Sequence, residues 1–216
     1  MTDPIASPMA PVRIGALRAA GGVTAALLAV VLVTSAADMV LTPTSVEGRN
    51  TQIASAEMVV SLIRVVAMVG AAAAIMAWLY IAAENAQAWG IRLKWGPGWA
   101  IGAWFLPLAN LVIPVLVVNG LARASASPVS PWSAPGRAGT GLVAAWWATF
   151  LLGVGFTRAS ARKAFTPDGD YVLGYVAPGT VCYIAAAVFG MLLIRHITAL
   201  QVNRQAALDA LRPGSA

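Results

Sequence analysis

An all-α, polytopic helical membrane bundle is the fold class this sequence predicts, and three observations predict it. Of 216 residues, 59% are apolar and only 10% charged, whereas soluble domains carry about 25% charge. The mean hydropathy is +0.77. Five stretches run without a charge: Ala19 to Ala37, Val65 to Ala83, Trp95 to Ala122, Ala138 to Thr157 and Tyr171 to Ile194. A helix rises about 1.5 Å per residue, so about 20 residues cross the hydrocarbon layer, and only a helix satisfies its own backbone there. Four of the stretches read as spans, and the third reads as a hairpin broken by proline and asparagine, re-entrant or interfacial. Five spans are the alternative. The 14 Lys+Arg against 8 Asp+Glu give a net charge of +6, but these charges form no stripe, so nucleic acid is not an expected partner.

Residues 1–12 contain three prolines and read as a disordered arm. Residues 13–200 read as one helical membrane domain and 201–216 as a tail. Arg13 and Arg18 ahead of an apolar run also resemble a secretory signal, but the run is longer than most signal cores and more spans follow, so an uncleaved first span is expected. That span is expected to end at about Asp38. Leu41 to Ser55, with Pro43 and Gly48 as breakers, reads as an irregular loop.

The second span begins near Met58 and carries Arg64 about two turns in. A charge at that depth needs a partner or a route to the interface. Asp38 closes the preceding span, so an Asp38–Arg64 ion pair is expected, with Glu57 as a second possible partner and a charged lining for an ion path as the functional alternative. Cys182, the single cysteine, lies in the last apolar run and reads as a small buried hydrophobe.

The third stretch holds Pro97, Pro107 and Pro114 with Asn110 and Asn119. Interior prolines remove helical hydrogen bonds, so the stretch is either one kinked span of about 42 Å or a hairpin broken near Pro107 to Asn110. The distribution of basic residues favours the hairpin. Five crossings put Arg13, Arg18, Arg92, Lys94, Arg158, Arg162 and Lys163 inside against Arg49, Arg123, Arg137, Arg195, Arg204 and Arg212, which is almost no bias. Four crossings put Arg13, Arg18, Arg92, Lys94, Arg123, Arg137, Arg195, Arg204 and Arg212 inside, against Arg49, Arg158, Arg162 and Lys163. Trp89, Trp95 and Trp99 fall where the second span leaves the membrane, the level that suits an indole. Trp146 and Trp147 lie deeper and read as packing residues.

Trp78-Leu79-Tyr80, Asn85-Ala86, Pro97-Gly98-Trp99-Ala100, Trp104-Phe105-Leu106-Pro107-Leu108-Ala109-Asn110-Leu111 and Pro114 together resemble the bacterial membrane family called domain of unknown function 4328. The resemblance covers about Trp78 to Ser125. It implies a multi-span membrane protein and carries no activity with it. The family pattern places a basic residue after Trp-Leu-Tyr, where this chain has Ile81-Ala82, and charges with a tryptophan near the end of the hairpin, where it has Asn119, Gly120 and Ala122. Arg123-Ala124-Ser125 fits the pattern. Any function resting on the missing charges is absent from this member.

Pro107 frees a carbonyl and Asn110 can both donate and accept, so together they can satisfy a broken helix in a low-dielectric layer. Broken helices can also expose backbone groups to a transport cavity, with Glu84 and Asn85 facing it. Reacting groups for an enzyme are missing: there is one histidine, no zinc-protease or nucleophile-elbow motif and no phosphate loop. Asp168-Gly169-Asp170 offers too few oxygens for calcium. Gly98 and Gly102 form a small-xxx-small pair of the kind that allows close helix approach, though spacings like this also arise by chance in a chain with 20 glycines. The tail from His196 reads as a surface helix or a continuation of the last span. No cofactor is implied. The expected environment is a bacterial inner membrane with a cytoplasmic N-terminus, and the expected role is a non-catalytic scaffold or accessory subunit with a membrane-protein partner or a second copy. A small transporter or channel with a polar site at the hairpin is the alternative. The residues singled out are Asp38, Arg64, Trp78, Glu84, Asn85, Pro107, Asn110 and Pro114.

Overall fold

A computed structural model describes residues 11–48, 51–129, 136–163 and 172–211. Within them the chain is helical: α1 Ile14–Gly48, α2 Thr51–Ala88, α3 Trp99–Gly102, a 3-10 turn Ala109–Leu111, α4 Ile113–Ala126, α5 Thr140–Lys163 and α6 Val172–Ala210. Four of these helices, α1, α2, α5 and α6, contain windows long and apolar enough to cross a membrane. Helix α4 has 14 residues, which gives about 21 Å of rise, well short of a bilayer core.

One element differs from the sequence reading. Leu41 to Ser55 is not an irregular loop, because α1 continues to Gly48 and α2 begins at Thr51. Pro43 costs a helix one hydrogen bond, and the Thr, Ser and Gln residues around it are compatible with helix, so α1 runs on past it to Gly48. Of the two readings of the tail, the structure has the continuation of the last span, with α6 running through Ala210 without a break. The Asp168-Gly169-Asp170 segment and residues 1–10 lie outside the described residues, as does the side chain of Asp38, so the Asp38–Arg64 pair cannot be placed. Arg64 is half-buried on α2.

The described helices contribute segments to two compact units. The first comprises residues 1–21, 75–140 and 195–216, and so includes the start of α1, the end of α2, the whole broken segment and the end of α6. Its core is built on Leu17, Trp78, Leu79, Val118, Leu121 and Ile197. The second comprises residues 22–74 and 141–194. Its core is mostly apolar: Val31, Ala67, Val143, Ala187 and Leu193 are buried with Trp146 and Trp147. The two indole rings lie 5.3 Å apart, and Trp147 stacks on Phe150 at 5.4 Å. Gly153 leaves room for Tyr183, whose ring lies 3.0 Å from where a Cβ would stand. Tryptophan packing in α5 is therefore as the sequence reading expects.

Helix α2 ends in a Schellman motif. Gly90 has φ +77°, its N–H donates to the Gln87 carbonyl at 2.8 Å, and the Ile91 N–H reaches the Ala86 carbonyl at 3.1 Å. The break at Pro107 is handled by short-range turns: Trp104 N–H donates to Ile101, Phe105 to Gly102, Asn110 to Leu106, and Val112 to Ala109. The Asn110 side chain does not do this work, since its Oδ1 is buried with no partner among the described residues. Most of these bonds reach acceptors three residues back, as in 3-10 turns, and Asn110 reaches four back, so these backbone donors are met by the backbone itself. Gly98 and Gly102 have open space within 4 Å of where a Cβ would stand, so their spacing brings no helix close.

Candidate functional site: a polar ladder between helices

Trp78, Ala82 and Asn85 on α2, and Trp89 just past its end, recur at steps of four and three and so share a face. On α6, Thr198, Gln201 and Gln205 do the same. These faces meet. Trp78 Nε1 donates to Thr198 Oγ1 at 3.1 Å, Asn85 Nδ2 to Gln201 Oε1 at 3.2 Å, and Trp89 Nε1 to Gln205 Oε1 at 2.9 Å. Gln205 in turn donates to Asp209 at 2.9 Å.

Gln201 is the centre of the ladder and is fully buried, as are Asn85 at 1% and Ser125 at 3% exposure. Its Nε2 donates to the Ala82 carbonyl at 2.9 Å and to Ser125 Oγ at 3.1 Å, which ties α6 to both α2 and α4. Asn85 Oδ1 accepts the Arg13 backbone N–H at 2.7 Å, satisfying a donor at the start of α1 that its own helix leaves free. Polar atoms in a low-dielectric core are costly unless paired, and each member of this set is paired. Beside it the Arg13 guanidinium meets Glu84 at 3.3 Å in an exposed ion pair.

Arg204 adds a clamp. Its guanidinium donates to the Ser127 carbonyl at 2.8 Å and to Ser127 Oγ at 3.1 Å, and it lies 5.3 Å from the Trp89 ring centroid. A cation at the C-terminal end of α4 complements the exposed carbonyls there.

The order of the pairs fixes the direction of the helices. Residue numbers rise together along α2 (78, 85, 89) and α6 (198, 201, 205), so the two helices run parallel in this unit. The Arg137 carbonyl, just ahead of α5, accepts from His196 Nε2 at 2.9 Å, so the start of α5 lies beside the C-terminal part of α6. With α5 and α6 each crossing once, residues 91–139 must return to the side they left. This parallel course fits four spans, since an extra crossing would make α2 and α6 antiparallel, and four of the described helices are long and apolar enough to cross.

The predicted residues thus divide. Trp78 and Asn85 are buried rungs of the ladder, and Glu84 flanks it in the Arg13 pair. Pro114 is fully buried in the first turn of α4. Pro107 is exposed at the hairpin apex with Phe105 at 72% and Leu108 at 84% exposure. Arg64 belongs to the second unit. Gln201, Ser125, Thr198, Gln205 and Arg204 were missed by sequence reasoning. Their signal is the step of three and four in polar residues on α6, matched by the same step on α2.

A family model described as Domain of unknown function (DUF4328) matches residues 42–200, a longer stretch than the motif-bearing 78–125. No match was found among curated proteins or solved structures.

Proposed function

Because the chain belongs to that DUF4328 family and is an integral membrane protein with four candidate spans, we propose that it is a non-catalytic scaffold or accessory subunit of the bacterial inner membrane. The observation that carries this reading is the closed ladder: Asn85, Gln201 and Ser125 spend their hydrogen bonds on one another and on the backbone. Residues placed in this way hold helices in register and leave no polar face for a solute. The broken hairpin supplies the contact surface, since Phe105, Leu106, Leu108, Leu111 and Val112 are exposed and apolar. Its occupant is a membrane-embedded partner protein or a second copy of the chain.

The N-terminus is cytoplasmic in this reading. Among the described residues, Arg13, Arg18, Arg92, Lys94, Arg123, Arg137, Arg195 and Arg204 all belong to the unit that contains the start of α1, and short cytoplasmic loops carry the excess of Lys and Arg.

A photo-crosslinking residue at Leu108, with one at the exposed Val66 of α2 as control, tests the reading in intact cells. A discrete protein adduct, or a dimer of the chain, from Leu108 and not from Val66 is the expected result. Lipid adducts alone from Leu108, together with saturable solute flux in proteoliposomes of the purified chain, would contradict it.

A further inference from the structure

Between the loop after α2 and the outer face of α4 lies a cavity of about 200 Å³. Leu93, Lys94, Trp95, Leu116, Asn119 and Arg123 are among its walls. Three features of these walls bear on an occupant. Lys94 and Arg123 are both exposed cations, and among the described residues neither is paired with a carboxylate. The Lys94 ammonium lies 5.9 Å from the Trp95 ring centroid, a contact that holds the charge at the rim without neutralising it. Asn119 Oδ1 is buried with no hydrogen-bond partner among the described residues, which is a cost a native core does not leave uncompensated.

We infer that this cavity binds an anionic phosphodiester whose head carries a hydroxyl group, the chemistry of a phosphatidylglycerol headgroup. The two cations take the phosphate oxygens. The orphaned Asn119 oxygen can only accept, so it calls for a donor on the same ligand, and a head hydroxyl provides one. Leu93 and Leu116 offer apolar surface to the glycerol and acyl portion, and Trp95 and Trp99, 5.1 Å apart edge to face, are the residue type enriched at headgroup level. This inference is independent of whether the hairpin apex holds a protein partner.

The experiment measures lipid binding to the full chain in detergent by native mass spectrometry and by thermal shift. Four probes are used: phosphatidylglycerol, phosphatidylethanol of the same charge but without the hydroxyl, and the soluble glycerophosphoglycerol and glycerophosphoethanol. The expected result is a preference of about fivefold for the hydroxyl-bearing member of a pair, the worth of one neutral hydrogen bond. Preference within the lipid pair alone assigns a membrane lipid, whereas preference within both pairs assigns the headgroup from either source. Lys94→Gln and Arg123→Gln, both at exposed positions, should each weaken binding about tenfold. Asn119→Leu should retain anion binding and lose the hydroxyl preference. Equal binding of both members of each pair by the wild-type chain would overturn the proposal even if Asn119→Leu failed to fold, and so would binding unchanged by both charge substitutions.

Discussion

The two units are made from segments of the same four long helices, yet they are held by different physics. In the first, helices α2 and α6 meet through indole, amide and hydroxyl groups in fixed order. In the second, a run of aromatic side chains stands out: Trp146, Trp147, Phe150 and Tyr183 pack in series, with Gly153 giving way to the last. Within lipid, apolar surface alone does little to choose among helix partners, because hydrocarbon solvates leucine as well as another helix does. A hydrogen-bonded ladder does choose, since a shift by one turn would leave Gln201 and Asn85 unpaired. The difference teaches that direction and register are specified in one unit, and close packing in the other.

Five substitutions would break or sharpen this contrast, each read from unfolding of the purified chain in mixed micelles. Trp146→Ala, which removes a buried indole from the apolar unit, should cost the most, about 3 to 5 kcal/mol, by leaving a cavity. Gln201→Leu keeps the volume but strands Asn85, the Ala82 carbonyl and Ser125, and should cost about 2 to 3 kcal/mol. The comparison is sharpened by a second Asn85→Leu change: the pair should cost clearly less than the sum of the two single changes, whereas a Trp146→Ala, Gln201→Leu combination should add. Gly90→Ala places a Cβ at φ +77° and should cost about 1 kcal/mol through backbone strain alone. Glu84→Gln, which removes the exposed partner of Arg13, should change stability by less than about 0.5 kcal/mol.

Much of this architecture is legible in the sequence because charge is so sparse. Four of the five charge-free stretches fall in the four long helices, and Pro107 lies at the break between α3 and α4. Trp78 and Asn85 stand out in the sequence through the family resemblance, and both prove to be buried and bonded. Gln201 was not legible as a hub, since its partners Ala82 and Ser125 are 119 and 76 residues away, and only the α2–α6 register unites them. The helical course of Leu41 to Gly48 was hidden for a different reason. Turn-forming residue types there suggest a loop, but a long helix already under way absorbs a single proline and several hydroxyl residues at small cost. Asn110 was misassigned because the sequence does not reveal that 3-10 turns would satisfy the broken backbone without its side chain.

The parallel course of α2 and α6, and with it the return of residues 91–139 to the side they left, is the claim on which the architecture rests. Impermeant thiol labelling of single cysteines tests it in a Cys182→Ala background, with Arg92→Cys after α2, Arg137→Cys before α5 and Asp168→Cys between α5 and α6. The account predicts that positions 92 and 137 label from one side of the membrane and position 168 from the other. Labelling of positions 92 and 137 from opposite sides would contradict it and restore a fifth crossing.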